Sequence, residues 1–401
     1  MVTQVDEGIE GERPRFMYMT PEQDQTLKTK GEYEQSLMQT PRPLKPSKVR
    51  RNSGGFGENK GKGGGMINSK KSSLSSKKGV ASTASPQTSS TVKTPEEKLG
   101  TLQSLAKGLQ TDGVIRMDNV LSALTADALR EYLIDLRARG TADIESGKIK
   151  DTQERFADVL LNQNRCDLKI PLGPQPVNQA LCELLAKQET SIVRDVIEYV
   201  FESFGGVGKD AELWELNCFM SNSGARRQLV HADVVSLQPV IGLKNEHEPI
   251  VLTCFVALQD IDASMGPTIW MPGTHTLQAH NQFFETGLDR SSTPTESYSP
   301  KDAILQSSKS FLGTIPKGAC VIFDPRVLHC AGANTCPDPG HTRALFYVSF
   351  KNPKIDNPGC PSTSGYGVAT AAITMEDLVN DLRAEQDGGP TKRMQLVSCF
   401  P

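Results

Sequence analysis

The sequence predicts a mainly β domain, a β-sandwich or barrel, preceded by helices and by a polar N-terminal region. From Trp214 onward, short stretches rich in β-branched and aromatic residues alternate with turn residues at intervals of roughly ten to twenty residues. This alternation is typical of antiparallel sheets. No repeat of fixed period is visible. The expected strands are Trp214–Met220, Val251–Leu258, Thr268–Met271, Ala319–Phe323 and Ala344–Phe350.

Helices are predicted between the polar region and the strands. After Thr94, a Pro and two Glu precede leucines at helical spacing, and a short strand is expected after this helix, over residues 114–121. A second helix is expected to begin at Thr125, as N-cap, and to end at Gly140. Two further helical stretches are predicted at Val177–Lys187 and Ser191–Phe204.

The N-terminal residues 1–95 are predicted to be a disordered, partly basic extension. Between residues 35 and 95 the chain is rich in Pro, Gly, Ser and Lys, and it cannot bury enough apolar surface to offset its ordering entropy. Residues 41–80 carry eleven Lys and Arg against one acidic residue, Glu58. This block could contact polyanions, although a solvated tail is the simpler interpretation. The folded domain is expected over residues 96–355, followed by a C-terminal extension, 356–401, with a short helix.

Composition and patterning exclude several classes of protein. The longest nearly unbroken apolar stretch, Ile250–Leu258, is far shorter than the roughly 20 residues of a membrane helix, so no membrane span is expected. The first thirty residues lack the apolar core of a secretory signal, which favours an intracellular, most simply cytoplasmic, protein. Organelle import through the basic extension is the alternative. The nine cysteines include no C-x-x-C pair, so we expect reduced thiols and no cysteine zinc site.

Three residues could hold a metal ion. His231 and Asp233 are two residues apart in QLVHADVV, so on a strand they would project from one face and bind a common ion. His329, after the apolar strand in VIFDPRVLHCAGAN, is the best candidate for a third ligand. Two His and one carboxylate leave open positions on the metal, as in non-haem Fe(II) oxygenases. Those positions can take a 2-oxo acid and O2.

Arg343 extends this hypothesis to a cosubstrate. It lies fourteen residues after His329, in the predicted strand TRALFYVSF. A planar guanidinium on a neighbouring strand would pair with the distal carboxylate of 2-oxoglutarate. The arrangement is the one needed for Fe(II) as metal, with 2-oxoglutarate and O2 as cosubstrates. The H-x-D motif alone is weak, and His231 as a structural residue at a strand edge is the alternative.

About 250 residues, from Leu102 to Pro353, resemble the phytanoyl-CoA dioxygenase-like family of Fe(II)/2-oxoglutarate oxygenases. The resemblance rests on LQTDGVIRMDNVLSALTADALREYL, the H-x-D motif, VALQDIDASMGPTIWMPGTHT with its Pro-Gly-Thr-His turn, and LHCAGANTCPDPGHTRALFYVSF. It implies a double-stranded β-helix, or jelly roll, with buttressing N-terminal helices. It also implies that His231, Asp233 and His329 are the iron ligands and that Arg343 anchors 2-oxoglutarate.

Two details of the sequence refine this resemblance. Many relatives carry a small hydroxylated residue two positions after the distal histidine, where it helps to hold the cosubstrate, but this chain has Ala331. Halogenating relatives replace the ligand carboxylate by a small residue, whereas Asp233 is present here. The resemblance thus implies hydroxylation of a small organic molecule, with release of succinate and CO2.

The remaining candidates receive structural interpretations. His275 is expected to end a structural turn, while His247, His280 and His341 are expected to be solvated. Trp270 is expected to fill the core rather than line the pocket. Arg165 and Lys169 are a weak candidate pair for an anionic substrate, because surface cations are common.

Two alternative functions stay open on the sequence alone. One is a cupin-like, metal-dependent isomerase or lyase that does not use 2-oxoglutarate, against which the position of Arg343 argues. The other is a non-catalytic jelly-roll module that binds a ligand or partner, against which the intact H-x-D and His329 set argues. The substrate itself cannot be identified from the sequence.

Overall fold

Two antiparallel sheets, one of seven strands and one of four, form the centre of the fold. The computed structural model describes residues 17–18, 94–158, 164–186, 192–206, 208–285, 299–337, 342–355 and 373–388. Apart from residues 17–18 and 94–95, the N-terminal extension predicted to be disordered lies outside the described residues, as do the basic block 41–80 and His341. No helix in the described ranges has both the length and the apolar character needed to cross a membrane.

The strands are β1 (Met17–Tyr18), β2 (Val114–Met117), β3 (Phe156–Asp158), β4 (Arg165–Lys169), β5 (Glu212–Ser221), β6 (Val251–Ala257), β7 (Thr268–Trp270), β8 (Phe311–Leu312), β9 (Cys320–Phe323), β10 (His329–Ala331) and β11 (Arg343–Lys351). The large sheet has the strand order β2-β9-β6-β11-β5-β4-β3, and the small sheet has the order β1-β8-β7-β10. All pairings are antiparallel, and the five strands predicted from Trp214 onward are present within one or two residues of their expected ends. The strand predicted over residues 114–121 is shorter than expected, because β2 ends at Met117. The expected jelly roll is confirmed.

Helices hold more of the described residues than strands do, so the description as mainly β understates them. They are α1 (Pro95–Asp112), α2 (Ala123–Glu145), α3 (Gln175–Leu181) with a π-helical continuation (Cys182–Ala186), α4 (Val193–Ser203), α5 (Leu277–Phe283), α6 (Pro300–Ser307) and α7 (Met375–Gln386). Short 3-10 turns lie at Thr152–Glu154, Gly208–Asp210 and Ala263–Met265. The helix predicted in the C-terminal segment is α7, which packs on the main core. The domain boundaries at residues 95 and 355 stay predictions.

The predicted ends of the second helix are wrong at both termini. Ser122, not Thr125, is the N-cap, and its hydroxyl accepts a hydrogen bond from the Thr125 backbone N–H at 3.2 Å. The Thr125 hydroxyl instead donates to Glu183 at 2.6 Å, a tertiary contact that the local pattern does not reveal. Gly140 is buried within α2 rather than at its end, and the helix continues to Glu145.

The outer face of the large sheet forms the main hydrophobic core. Alternate residues of β5 and β11 point away from the small sheet and pack on the helices: Leu216, Cys218, Met220, Ala344, Phe346, Val348 and Phe350. Burial of these side chains stabilises the fold by roughly 1.5–3 kcal/mol for each large residue. The seven cysteines in the described ranges are free and buried: Cys166, Cys182, Cys218, Cys254, Cys320, Cys330 and Cys336.

The inner face of the same strands is polar, although it is buried. The Tyr347 hydroxyl donates to Asp167 at 2.7 Å and accepts from the Asn217 side-chain amide at 3.0 Å. Two residues further along β11, on the same face, the Ser349 hydroxyl donates to Glu215 at 2.6 Å. A buried polar surface of this kind costs stability unless its groups are hydrogen-bonded, so it marks the functional side of the sheet.

A buried ion pair lies at the turn between β9 and β10. Asp324 and Arg326 are joined by hydrogen bonds at 2.6–3.1 Å, and both side chains are almost fully inaccessible to solvent. Burial alone would raise the pKa of Asp324, but the Arg326 guanidinium outweighs it and holds that pKa below its usual value. Arg326 also donates to the carbonyls of Glu246 and Glu248, which fixes the turn against the loop before β6.

We expect Asp324→Asn to lower the free energy of unfolding by about 3–5 kcal/mol, because it leaves the buried Arg326 guanidinium without its charged partner. The matched control is Asp127→Asn, which breaks the solvent-exposed Asp127–Lys317 pair and should cost less than about 1 kcal/mol. Urea unfolding followed by circular dichroism measures both changes. Equal losses in the two variants would show that the buried pair has no special role.

Glu215 gives a second prediction, on pH dependence. Burial, together with Asp167 and Asp233, raises its pKa from 4.5 to about 8, although the Ser349 hydrogen bond opposes the shift. Between pH 4.5 and about pH 8, the Glu215 carboxyl is ionised in the unfolded chain but still protonated in the folded chain. The free energy of unfolding should therefore fall as pH rises, by up to about 1.4 kcal/mol per pH unit.

Glu215→Gln should flatten this fall between about pH 5 and pH 8, since an amide does not titrate in this range. Urea unfolding of the metal-free protein across the range provides the measurement. Glu131→Gln, which removes a carboxyl group from the exposed surface of α2, is the control for loss of one charge. Parallel stability curves for wild type and Glu215→Gln would contradict the shifted pKa.

Candidate metal centre

The structure brings together the three residues that the sequence predicted as metal ligands. One donor atom from each of His231, Asp233 and His329 lies within 4.8 Å of the others. The two Asp233 carboxyl oxygens face different histidines, at 3.4 Å from His231 Nε2 and 3.5 Å from His329 Nε2. Three donors that converge on one point in this way can share a single cation.

Backbone hydrogen bonds set this convergence. His231 and His329 form an isolated β-bridge, in which each backbone N–H donates to the carbonyl of the other at 2.9 and 2.8 Å. The Asp233 backbone N–H donates to Pro325, within the Asp324–Arg326 turn, at 2.9 Å. The H-x-D motif does not lie on a strand, since only a single bridge forms there, so the turn rather than strand alternation directs Asp233 toward the histidines.

The tautomer of each histidine suits metal binding. His231 Nδ1 lies 2.8 Å from the Leu229 carbonyl, and His329 Nδ1 lies 2.8 Å from the Val327 carbonyl. A carbonyl only accepts, so Nδ1 carries the proton in both rings and donates it. The Nε2 lone pairs are then directed at Asp233, and such outer hydrogen bonds also fix the ring orientation of metal ligands.

The electrostatics of the three groups agree with a cation site. Burial lowers the pKa of His329, which keeps this imidazole neutral and able to coordinate. Burial alone would raise the pKa of Asp233, but the two histidines outweigh it and lower that pKa. For His231, burial alone would lower the pKa, and the hydrogen bond and charge of Asp233 raise it. A divalent ion would replace the proton that this cluster attracts.

The donor set fits Fe(II). Two imidazole nitrogens and one carboxylate oxygen form the facial set that leaves three positions of an octahedral ion open. Apolar rings pack around the His329 side, with Trp270 at 5.1 Å and Phe323 at 5.6 Å between ring centroids. Trp270 is buried in the core, as predicted, and its ring also shields one side of the centre from solvent.

A cavity of about 320 Å³ opens beside His231. Its lining is largely apolar, with one acid and one base: Val230, His231, Ala232, Val235, Phe283, Phe284, Glu285 and Lys301. Val235 and Phe284 remain partly exposed, at 47% and 37%. An accessible apolar space next to a metal centre is suited to an organic molecule.

Arg343, the predicted anchor, is the first residue of β11 and is fully buried on the inner side of the large sheet. Its Nη1 group donates to the Gly266 carbonyl, while Nε and Nη2 have no hydrogen-bond partner among the described residues. Burial, together with the nearby charge of Arg165, lowers the pKa of Arg343 to about 9. A buried guanidinium with unsatisfied donors is suited to pair with an anion.

The other predicted histidines lie away from the centre. His275 is buried in a turn, with Nε2 3.2 Å from the Gln110 carbonyl, as expected for a structural residue. The expectation that His280 is solvated is wrong. It lies on the inner side of α5, where it accepts a hydrogen bond from the Ser236 N–H at 2.9 Å and lies 2.7 Å from the Arg326 carbonyl. His247 is exposed, as predicted.

The expectation that Arg165 is a surface cation is also wrong. It is buried at 2% exposure and donates to the carbonyls of Arg226 and Gly332, the latter at 2.6 Å. Cys330, next to His329, is buried, and burial raises the pKa of its thiol. Neither side chain contributes to the metal centre itself.

Sequence reasoning missed the polar residues of the inner face. In β5, Glu215, Asn217 and Ser221 alternate with apolar residues and point toward the small sheet. The signal was present as a period of two in ELWELNCFMS. Its meaning depends on which face is functional, and only the pairing of β4, β5 and β11 reveals that face.

Comparison with solved structures finds similar chains at low identity. The non-heme alpha ketoglutarate dependent epimerase SnoN from nogalamycin biosynthesis is 16% identical, with 63% of this chain and 84% of that chain covered and a TM-score of 0.39. The carbocyclase SnoK from the same biosynthesis is 15% identical, with 65% and 92% covered and a TM-score of 0.39. EctD from S. alaskensis, with bound Fe, is 14% identical, with 62% and 76% covered and a TM-score of 0.40.

A search of curated proteins finds no match. The family model of phytanoyl-CoA dioxygenase (PhyH) matches residues 109–342, more than half of the chain. The matched residues include the metal triad and strands β2 to β10. Together with the His–Asp–His donor set, it supports Fe(II) and 2-oxoglutarate as the cofactors. The chain belongs to the phytanoyl-CoA dioxygenase (PhyH) family.

Proposed function

We propose that this protein is an Fe(II)- and 2-oxoglutarate-dependent oxygenase that hydroxylates a small organic substrate, with release of succinate and CO2. The observation that carries the proposal is the convergence of His231, Asp233 and His329, with both Nε2 lone pairs directed at the carboxylate. Membership in the PhyH family supports the same chemistry. The identity of the substrate and the position of its oxidation lie beyond this proposal.

His231, Asp233 and His329 would hold the metal, and the chain supplies no fourth ligand among its described residues. The iron, when bound, couples oxidation of an organic substrate to oxidative decarboxylation of 2-oxoglutarate. The protein contributes position and shielding. The hydrogen bonds of Leu229 and Val327 hold the imidazoles in place, and the rings of Trp270 and Phe323 exclude water from one side.

Arg343 would hold the distal carboxylate of 2-oxoglutarate. Its Nε and Nη2 groups, which have no partner among the described residues, match the two oxygens of a carboxylate, and the pairing would restore hydrogen bonds that the buried guanidinium lacks. A cupin-like enzyme that does not use 2-oxoglutarate gives no reason for this buried charge. The proposal therefore favours the oxygenase over the isomerase or lyase, and over a non-catalytic module.

The cavity beside His231 would admit the substrate. Val230, Val235, Phe283 and Phe284 offer contacts to apolar parts of a molecule, and a substrate bound against them would displace water from this side of the centre. SnoN and SnoK, an epimerase and a carbocyclase, suggest that related centres direct one oxidation chemistry to different outcomes. Hydroxylation is the outcome that we propose here, because it needs no further group from the protein.

The first test removes each proposed iron ligand. We expect His231→Ala, Asp233→Ala and His329→Ala each to abolish iron binding and iron-dependent release of succinate, since only three protein ligands are proposed. The melting temperature of the metal-free protein should change little, because ligands of a functional site are rarely optimised for stability. Iron content after anaerobic reconstitution and succinate formation are the measurements. His247→Ala, at an exposed histidine, is the control, and full iron content in His329→Ala would refute the triad.

The second test concerns the cosubstrate. Arg343→Ala should raise the KM for 2-oxoglutarate by about ten- to a hundredfold, because a bidentate charge-assisted contact is lost. Bound iron should be unchanged. Arg343→Lys should recover only part of the loss, since an ammonium group lacks the planar fork. Succinate formation as a function of 2-oxoglutarate concentration decides the outcome. Arg139→Ala, at an exposed arginine of α2, is the control, and an unchanged KM in Arg343→Ala would refute the anchor.

A further inference from the structure

Ser221 lies between two buried arginines on the inner face of the large sheet. β11 pairs with β5 so that Arg343 lies directly opposite Ser221, and β4 pairs with β5 so that Arg165 lies directly opposite the same serine. Directly paired residues of an antiparallel sheet project from the same face, with Cβ atoms about 4.5–5.5 Å apart. Arg343, Ser221 and Arg165 therefore form one row across three strands, here called the Arg–Ser–Arg row.

We propose that Ser221 donates its hydroxyl hydrogen bond to the distal carboxylate of 2-oxoglutarate beside Arg343, in place of the hydroxyl that Ala331 lacks. This inference rests on the proposed function, because it requires that 2-oxoglutarate binds at Arg343. It adds a binding residue on β5 to a site for which the family resemblance indicates Arg343 and, in many relatives, a hydroxyl at the position of Ala331.

The hydrogen bonds of Ser221 are the first argument. The residue is completely buried, and its Oγ atom has no hydrogen-bond partner within the described part of the chain. Its backbone carbonyl accepts from the Asn334 side-chain amide at 2.9 Å, so the end of β5 is held in place. A buried hydroxyl without a partner is destabilising, so in a native protein it calls for an explanation. A bound carboxylate oxygen would provide the missing acceptor.

The charge of the row is the second argument. The Nε and Nη2 groups of Arg343 have no partner among the described residues. Burial, and then the neighbouring buried guanidinium of Arg165, lower the pKa of Arg343. Both arginines are also tied to backbone carbonyls near the small sheet, Arg343 to Gly266 and Arg165 to Gly332. Two fixed positive charges with a hydroxyl between them attract an anion, and a carboxylate can accept from all three side chains.

On the small sheet, β10 brings Ala331 and no hydroxyl to the cosubstrate site, which leaves Ser221 on β5 as the donor. Ala331 ends β10, and the chain leads directly from it to Gly332, which accepts from Arg165. Ala331 is therefore close to the row in sequence but brings no donor to it. The directly paired residue on β7, Thr268, also carries a buried hydroxyl and is the natural rival to Ser221.

The experiment measures 2-oxoglutarate binding without turnover, by calorimetric titration of the Fe(II)-loaded protein under nitrogen. Ser221→Ala should weaken binding about tenfold, because one charge-assisted hydrogen bond is lost. Ser221→Cys, which is nearly the same size but a poor donor, should do the same and covers the case in which the alanine variant does not fold. Thr268→Val should leave the Kd within about twofold, as a contact outside the row.

A rescue variant and a second probe make the result specific. Adding Ala331→Ser to Ser221→Ala should restore part of the lost affinity, because a hydroxyl returns next to the same carboxylate. 2-Oxobutanoate, which lacks the distal carboxylate, should bind wild type and Ser221→Ala equally. Iron content should be the same in all variants.

The outcomes separate this inference from the proposed function. If wild type binds 2-oxoglutarate and Ser221→Ala and Ser221→Cys bind it equally well, Ser221 is not a ligand, although the oxygenase proposal stands. Equal weakening for 2-oxobutanoate and 2-oxoglutarate would also overturn the inference, because the loss would not involve the distal carboxylate. A loss in Thr268→Val alone would assign the role to Thr268. Absence of 2-oxoglutarate binding in wild type would overturn the proposed function itself.

Discussion

The metal centre depends on one pair of backbone hydrogen bonds, those between His231 and His329. They join the loop after β5, which belongs to the large sheet, to β10 of the small sheet. Because each histidine also bonds its own Nδ1 to a carbonyl two residues earlier, the bridge fixes ring orientation as well as position. The Asp324–Arg326 turn then holds the third ligand through Pro325. The three ligands therefore converge only when the loop after β5 pairs with β10 so that His231 lies opposite His329.

The same strands carry two opposed environments, and this explains how a polar site is held in a stable protein. Outward residues such as Phe346 and Met220 are packed under helices, which supplies the apolar burial that an acid- and arginine-lined interior cannot. Inward residues such as Tyr347 and Asn217 are joined to one another by hydrogen bonds. The helices, which are more extensive than the predicted mainly β fold, are therefore needed to bury the apolar face of a sheet whose other face is polar.

Local patterns predicted the elements of this fold well, because strand alternation and helical spacing are visible in a single segment. The H-x-D motif, His329 and Arg343 could also be identified, since few histidines exist and their spacing is distinctive. What the sequence could not provide was register. Ser221 joins Arg343 only through the pairing of β5 with β11, and His280 turned inward because α5 packs on the Asp324–Arg326 turn. The N-cap of α2 was misplaced because the partner of Thr125 lies 58 residues away.

The buried thiols bear on how such a protein survives its own chemistry. Dioxygen-consuming iron sites release oxidants that attack thiolates first, and a thiol resists attack while it stays protonated and inaccessible. Burial raises the pKa of Cys166, Cys218 and Cys330, the last of which adjoins a proposed iron ligand. Cys166 and Cys218 lie in the main hydrophobic core, whereas the buried Cys330 thiol lies 4.0 Å from the Arg227 guanidinium. Self-inactivation by oxidation of cysteine should consequently be slow, because the helices that cover the outer face of the large sheet also shield the thiols of Cys166 and Cys218.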